Sequence, residues 1–307
     1  MQYFRVMLGA GSAFLEECLA GNYIGVDYEI YQDLKYELVE DSRKFNQKFI
    51  PVYLSNHPGK SKVAAGLACG AIWTVSKGIK QGDRVITPDG AGAYYVCEVI
   101  GEYFYKEGEN LMHRRPVRWL AVKIQRDQMS DDLRHSAGSI GAVSNLSGYE
   151  AEFERLIVNP VQPPIFTHDP TIEEPANFAL EKHLEDFLVE NWKQTLLGKR
   201  FNIFEDEGEK VGQQYQTDTG PIDILAVSKD NKTLLVVELK KGRASDVVVG
   251  QTLRYMGYVK EVLAEDRQDV RGVIIAAEDD QRMKHALSMV PTIDFYKYEI
   301  SFKLRKD

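Results

Sequence analysis

The chain has 307 residues, 44% hydrophobic and 27% charged, which excludes a disordered or fibrous protein and makes two domains the default expectation. Its formal charge of −8 argues against a broadly basic nucleic-acid coat, while leaving room for a local basic groove. Cys18, Cys69 and Cys97 are odd in number and widely spaced, which disfavours a disulfide framework and a zinc site; with no leader pattern at Met1 and no apolar run of about 18 residues, the chain is expected to be cytoplasmic and off the membrane.

The first half reads as mainly β with helices at its edges. Gly11-Ser12 precedes a short predicted helix over 13–20, closed by Gly21-Asn22. Leu8-Gly-Ala-Gly-Ser12 lacks the lysine of a phosphate loop and is read as the tight turn before that helix. A second helix is predicted over 63–77, followed by β-rich runs at 79–86, 92–100 and 116–124. Short strands separated by Gly, Asp and Pro turns suggest a small β-barrel. Pro160, Pro163, Pro164, Pro170 and Pro175 then mark an extended linker. The expected division is a substrate-recognition domain at 1–158, a linker at 159–177 and a second domain at 178–307.

The second half alternates element types. An amphipathic helix over 178–192 is followed by strands at 222–227 and 233–239, a long helix at 247–264, a strand at 270–277 and a β-rich piece at 293–304. This order predicts an α/β (α+β) domain whose mixed sheet is flanked by helices.

Charges inside its apolar strands are costly unless paired or functional. Asp223 precedes Ile224-Leu225, and Glu238 and Lys240 flank Leu239 and share one strand face. A hairpin symmetric about Asp230 and Asn231 places Asp223 opposite Glu238, with both carboxylates on one face. Opposed carboxylates repel; a divalent cation between them turns repulsion into a site, and oxygen ligands suit Mg²⁺, with Mn²⁺ as a substitute. The Leu239 carbonyl offers a further oxygen. Lys240 is placed to hold a water and offset charge on a phosphate, so the parts describe metal-assisted phosphodiester hydrolysis. The plainer alternative is a strand end beside a surface ion pair. Gln251 and Tyr255, four apart on the predicted helix, share a face, where the amide can orient a water or the lysine and the ring can pack beneath. A solvated helix face would carry the same two residues. Glu181 and Glu185 have the same spacing on the earlier helix, and either is a candidate to reach the metal through water.

Asp223, Glu238-Leu239-Lys240 and Gln251-Thr-Leu-Arg-Tyr255 resemble the motifs of PD-(D/E)xK nucleases with a RecB-like QxxxY extension. The segments from Leu184 to Asn191, Thr219 to Leu225, Val237 to Arg243 and Val249 to Tyr255 look most like the catalytic domain of NucS-like (EndoMS) endonucleases. The resemblance implies a restriction-endonuclease-like fold and Mg²⁺-dependent DNA cleavage. Asp223 and Glu238 would be metal ligands, Lys240 the catalytic lysine and Glu181, by position, the acidic residue of the first helix.

The first half departs from NucS. Ala71-Ile-Trp73 and the runs Ile79 to Ile86, Tyr94 to Ile100 and His113 to Trp119 look instead like PUA/EVE-like barrels fused to Mrr-type and other modification-dependent restriction nucleases. Such barrels accept a modified base in an aromatic pocket. Trp73, Tyr94, Tyr103, Tyr105 and Trp119 are the candidate walls, and Arg114, Arg115 and Arg118 the candidate phosphate contacts. Core packing is the plainer reading of any one of these aromatics. The resulting expectation is an endonuclease for double-stranded DNA, either restricting modified or foreign DNA or repairing mismatched or distorted duplex. A homodimer is expected because cutting both strands takes two centres. The alternatives are a non-catalytic sensor on the nuclease fold, which has no need of mutually repelling carboxylates, and an effector nuclease switched on by a small nucleotide.

Overall fold

The computed structural model describes residues 1–139, 141–158, 184–206 and 208–298. The chain divides into two compact units, Met1–Thr167 and His168–Asp307. The proline-marked linker and Glu181 lie outside the described residues, as does the end of the predicted 293–304 piece. No helix among the described residues is long and apolar enough to cross a membrane.

The first unit is built on a curled seven-stranded sheet. Its strands are β1 (Tyr3–Val6), β2 (Tyr23–Val26), β3 (Arg84–Pro88), β4 (Ala93–Val99), β5 (Phe104–Tyr105), β6 (His113–Gln125) and β7 (Val143–Asn145), in the order β2-β6-β4-β3-β1-β7 with β5 beside β6. Only β1 and β3 pair in parallel; the other pairings are antiparallel. The 13-residue β6 pairs with β2 and β5 at its start and with β4 over the rest, so one strand carries the curl.

The first predicted helix is α1 (Leu15–Gly21), and Asn22 ends it in a left-handed conformation (φ 55) that an asparagine tolerates. The second is α3 (Lys62–Trp73), capped by Ser61 and prolonged by a π-turn over Thr74–Gly78. Sequence periodicity did not reveal α2 (Ser42–Asn56), which contains Pro51, although Asp41 caps it by accepting from the amides of Arg43 and Lys44. Two further helices, α4 (Asp131–Ser136) and α5 (Glu150–Val158), close the unit. Tyr3, Tyr94, Ile124, Leu133, Phe153 and Leu156 share a buried cluster, in which Tyr3 stacks on Phe153 at 4.8 Å between ring centroids.

The first described element of the second unit is a helix, α6 (184–190), whose Leu188 and Val189 pack on the sheet. Its strands are β8 (Phe201–Ile203), β9 (Gln213–Thr217), β10 (Gly220–Ser228), β11 (Thr233–Ala244), β12 (Asp269–Asp279) and β13 (Ile293–Lys297). They run β13-β12-β11-β10-β8, with β9 also pairing β10. β11, β12 and β13 are mutually parallel and the rest antiparallel, so the sheet is mixed.

Two helices complete this unit, α7 (Asp246–Tyr258), which a π-turn carries on to Leu263, and α8 (Gln281–Ser288). α7 lies close on β12 because Gly272 has no side chain: a Cβ there would stand 2.8 Å from Met256 Sδ and Thr252 Cγ2. The hairpin between β10 and β11 turns at Asp230 and Asn231, where Asn231 takes φ 58. Ser228 Oγ accepts from the amides of Lys232 and Thr233, fixing the turn. Ile224 pairs with Val237 and Val227 with Leu234, which is the symmetric register expected from the sequence.

Candidate active site

Strand register builds the site. Extending the β10–β11 ladder by one residue beyond Ile224–Val237 sets Asp223 across from Glu238. Asp223 Oδ2 accepts the Leu239 amide at 2.7 Å, so this carboxylate is turned onto β11. Glu238 is only 2% exposed, and Lys240 Nζ stands 3.5 Å from its Oε1 with the lysine side chain 27% exposed. The lysine thus joins a buried carboxylate to solvent. On the other side, Ile222 pairs with Tyr215 and Ile224 with Gln213, which sets Gln214 across from Asp223. One row of the sheet therefore reads Gln214, Asp223, Glu238.

The electrostatics follow from this crowding. Burial pushes the Asp223 carboxyl well above its ordinary value, and the nearby charges of Glu238 and then Glu185 add to the rise. The Leu239 amide and the Lys240 ammonium oppose it. Such a carboxylate favours whatever brings positive charge. The donor set of Asp223, Glu238 and the strand carbonyl beside them is all oxygen, and these residues fit a hard divalent cation of the Mg²⁺ or Mn²⁺ type.

α7 supplies the neighbouring wall. Gln251 Nε2 donates to the Tyr255 hydroxyl at 3.5 Å, and Tyr255 is 3% exposed. Burial raises the phenol, the Gln251 bond lowers it, and the charges of Glu238 and Asp223 raise it further, which puts the ring beside the acids. Gly220 makes room: its φ is +123, and a Cβ there would meet the Tyr255 hydroxyl at 3.0 Å.

Glu185 of α6 is the acidic helix residue that the structure brings to the cluster. It is 4% exposed and accepts from Gln213 Nε2 at 2.8 Å and from Gln214 Nε2 at 2.5 Å. Gln214 Nε2 also donates to Asp223 Oδ1 at 3.3 Å, linking the two acids. Sequence reasoning missed both glutamines, because Gln213-Gln-Tyr-Gln-Thr217 has too few apolar residues to announce a strand. The spacing to the Gly220-Pro-Ile-Asp223 run was the available signal.

The candidate base walls and phosphate contacts of the first unit do not form one cluster, although Tyr103 and Tyr105 both lie against the His113 ring, at 6.0 and 5.4 Å between ring centroids. Tyr94 and Tyr103 are buried: Arg126 donates to the Tyr94 hydroxyl at 2.9 Å, and Tyr103 bonds His113 Nδ1 at 3.0 Å. Tyr105 reaches Met112 Sδ. Trp73 donates to the Val39 carbonyl and Trp119 to that of Cys18, each half-buried.

Arg114 and Arg115, expected as phosphate contacts, are both buried at the start of β6. Arg114 pairs with Glu109 at 2.7 Å and lies over the Tyr23 ring, and Arg115 donates to the carbonyls of Gly101, Ile79 and Ser76. Arg118 alone of the three is exposed, and it pairs with Glu98 at 2.7 Å.

Comparison with known proteins follows the same division. Residues 180–293 match the family described as Endonuclease NucS C-terminal domain. Residues 4–140 match a Domain of unknown function (DUF8426). Endonuclease NucS of Methanocaldococcus jannaschii is 36% identical over 75 residues, covering 24% of this chain and 27% of that protein. Endonuclease NucS of Sulfolobus acidocaldarius is 27% identical over 133 residues, 42% of this chain and 46% of that one. The matched region thus spans from about a quarter to about half of these curated relatives. A solved structure described as an EndoMS–dsDNA2 complex aligns at 15% identity with a TM-score of 0.33, over 68% of this chain and 62% of that one.

Proposed function

We propose that this chain is a metal-dependent DNA endonuclease whose second unit hydrolyses phosphodiester bonds and whose first unit selects the substrate. The observation that carries the reading is the row in which Asp223 and Glu238 stand opposed with the Lys240 ammonium 3.5 Å from Glu238. The likeness of residues 180–293 to the NucS C-terminal domain, and of the chain to proteins named Endonuclease NucS, supports the same chemistry.

Asp223 and Glu238 would hold Mg²⁺, or Mn²⁺ in its place, with the Leu239 carbonyl as a further oxygen. When bound, the ion supplies a Lewis acid for the phosphate oxygen. Lys240 holds the attacking water and offsets the charge that grows on the phosphate. Tyr255 stands beside the acids, and Gln251 donates to its hydroxyl and holds the ring there. Glu185, clamped by two amides, acts through Asp223 as a positioning residue rather than as a direct ligand.

Cutting both strands takes two centres, and a homodimer on duplex DNA is the assembly this implies. Restriction and repair differ in what the first unit selects. The distribution of Trp73, Tyr94, Tyr103 and Trp119 gives no support to a single aromatic cage made by those side chains. A PUA/EVE-like barrel is therefore proposed only as the general architecture of that unit.

Cleavage with Mg²⁺ on matched plain, methylated, hydroxymethylated, glucosylated and mismatched duplexes tests the reading, with Asp223→Ala and Lys240→Ala as controls. Preference for a modified duplex means restriction, and preference for the mismatched one means repair. Equal cutting by wild type and both variants would reject the site.

A further inference from the structure

We propose that Gln214 is a positioning residue whose amide, aimed by a left-handed backbone, sets the spacing of the Glu185 and Asp223 carboxylates for cation binding. The inference rests on the nuclease reading of this site and adds a residue to it.

Three observations converge. First, Gln214 sits across from Asp223 in the β9–β10 register, on the side away from Glu238, so it occupies the third place in the acid row. A third carboxylate there would add to the repulsion that already raises Asp223. An uncharged amide in that place donates instead.

Second, one nitrogen serves two acids. Gln214 Nε2 donates at 2.5 Å to Glu185 Oε2 and at 3.3 Å to Asp223 Oδ1. An NH₂ group carries two protons, one for each. Gln213 holds the other oxygen of Glu185 at 2.8 Å and also donates to Asp186 at 3.2 Å.

Third, the backbone is strained to allow this. Adjacent side chains of a regular strand point to opposite faces. Gln214 takes φ 51 within β9, which breaks that alternation and lets both amides reach Glu185. A left-handed conformation is unfavourable for a residue with a Cβ, and it persists where the surroundings enforce it.

Removal of the partners that orient metal ligands typically lowers metal affinity or activity by about 10–100-fold. The test is Mn²⁺ binding to the full chain, followed by calorimetry and by the electron spin resonance signal of free Mn²⁺. Wild type, Gln214→Met, Gln214→Gly and Asp223→Asn are compared, and thermal unfolding checks the fold. Gln214→Gly keeps the left-handed backbone, relieves its strain and loses the amide. It should remain folded, as thermal unfolding checks, and bind Mn²⁺ about 10-fold or more weakly, as Gln214→Met does.

The single-turnover rate at saturating Mn²⁺ should also fall in both Gln214 variants, which loss of affinity alone would not produce. If both bind within twofold of wild type while Asp223→Asn is impaired, Gln214 has no positioning role and the nuclease site stands. If Asp223→Asn binds Mn²⁺ as wild type does, the site itself is misassigned and the inference falls with it.

Discussion

The two units use the same kinds of residue to opposite ends. In the first, the arginines and aromatic hydroxyls at the start of β6 are tied inward: Arg115 to three carbonyls, Arg114 to Glu109, His113 to Tyr103 and Ile30. In the second, the polar groups within the strands converge on one another: Gln214, Asp223 and Glu238 in a row with Lys240 beside them. A buried polar residue with local backbone partners is structure. A set of like charges gathered where they repel marks a candidate site, because stability alone gives little reason to collect them.

The sharpest way to break this contrast is Arg115→Ala. It leaves three carbonyls inside the first unit without their donor and should cost about 3 kcal/mol or more in urea unfolding. Mn²⁺ binding by the folded variant should be unchanged. A stable Arg115→Ala protein that lost its substrate preference would instead make this arginine a contact residue.

Next in size is Glu185→Ala. It strips Gln213 and Gln214 of their shared acceptor and should lower stability by about 1–3 kcal/mol. Metal affinity should fall as well, which no substitution in the first unit is expected to cause.

Acid sharpens the contrast further. Burial lowers the His113 imidazole, with the Ile30 carbonyl and the charges of Asp27 and Asp33 opposing that shift. The folded form therefore holds this ring neutral, while the unfolded chain takes up a proton near pH 6.5. Stability from this group is fully present above that pH and is lost as the pH falls through the lowered folded value. Unfolding of the first unit followed between pH 7.5 and 5 should show this loss, and His113→Gln should flatten it.

The smallest effect is expected at Arg118→Ala. Its side chain is 65% exposed and pairs with Glu98 on the surface, so the change should cost less than about 1 kcal/mol. Weaker DNA binding in that variant would place phosphate on this edge of the sheet.

The contrast also explains what could be read in advance. The β10–β11 hairpin was legible because Ser228, Asp230 and Asn231 are turn residues flanked by two apolar runs of equal length, which fixes the register. α7 and β12 announced themselves by periodicity. β9 did not, since Tyr215 is the one apolar residue among five.

Of the two candidate helix acids, sequence spacing favoured neither, and the family resemblance pointed by position to Glu181. Glu185 became distinct only when the fold of β9 brought two amides to it, and Glu181 lies outside the described residues. Arg114 and Arg115 were candidates for phosphate only by residue type, which does not show burial. Both are buried: Arg115 by the carbonyls of Ser76, Ile79 and Gly101, and Arg114 by Glu109, the Leu111 carbonyl and the Tyr23 ring.

The central claim is that Asp223 and Glu238 grasp one divalent cation between them. Anomalous diffraction from a crystal of the full chain soaked in Mn²⁺ tests it directly. The account predicts a peak within bonding distance of both carboxylates. A peak held by other residues, or none at a Mn²⁺ concentration that supports DNA cleavage, would contradict it.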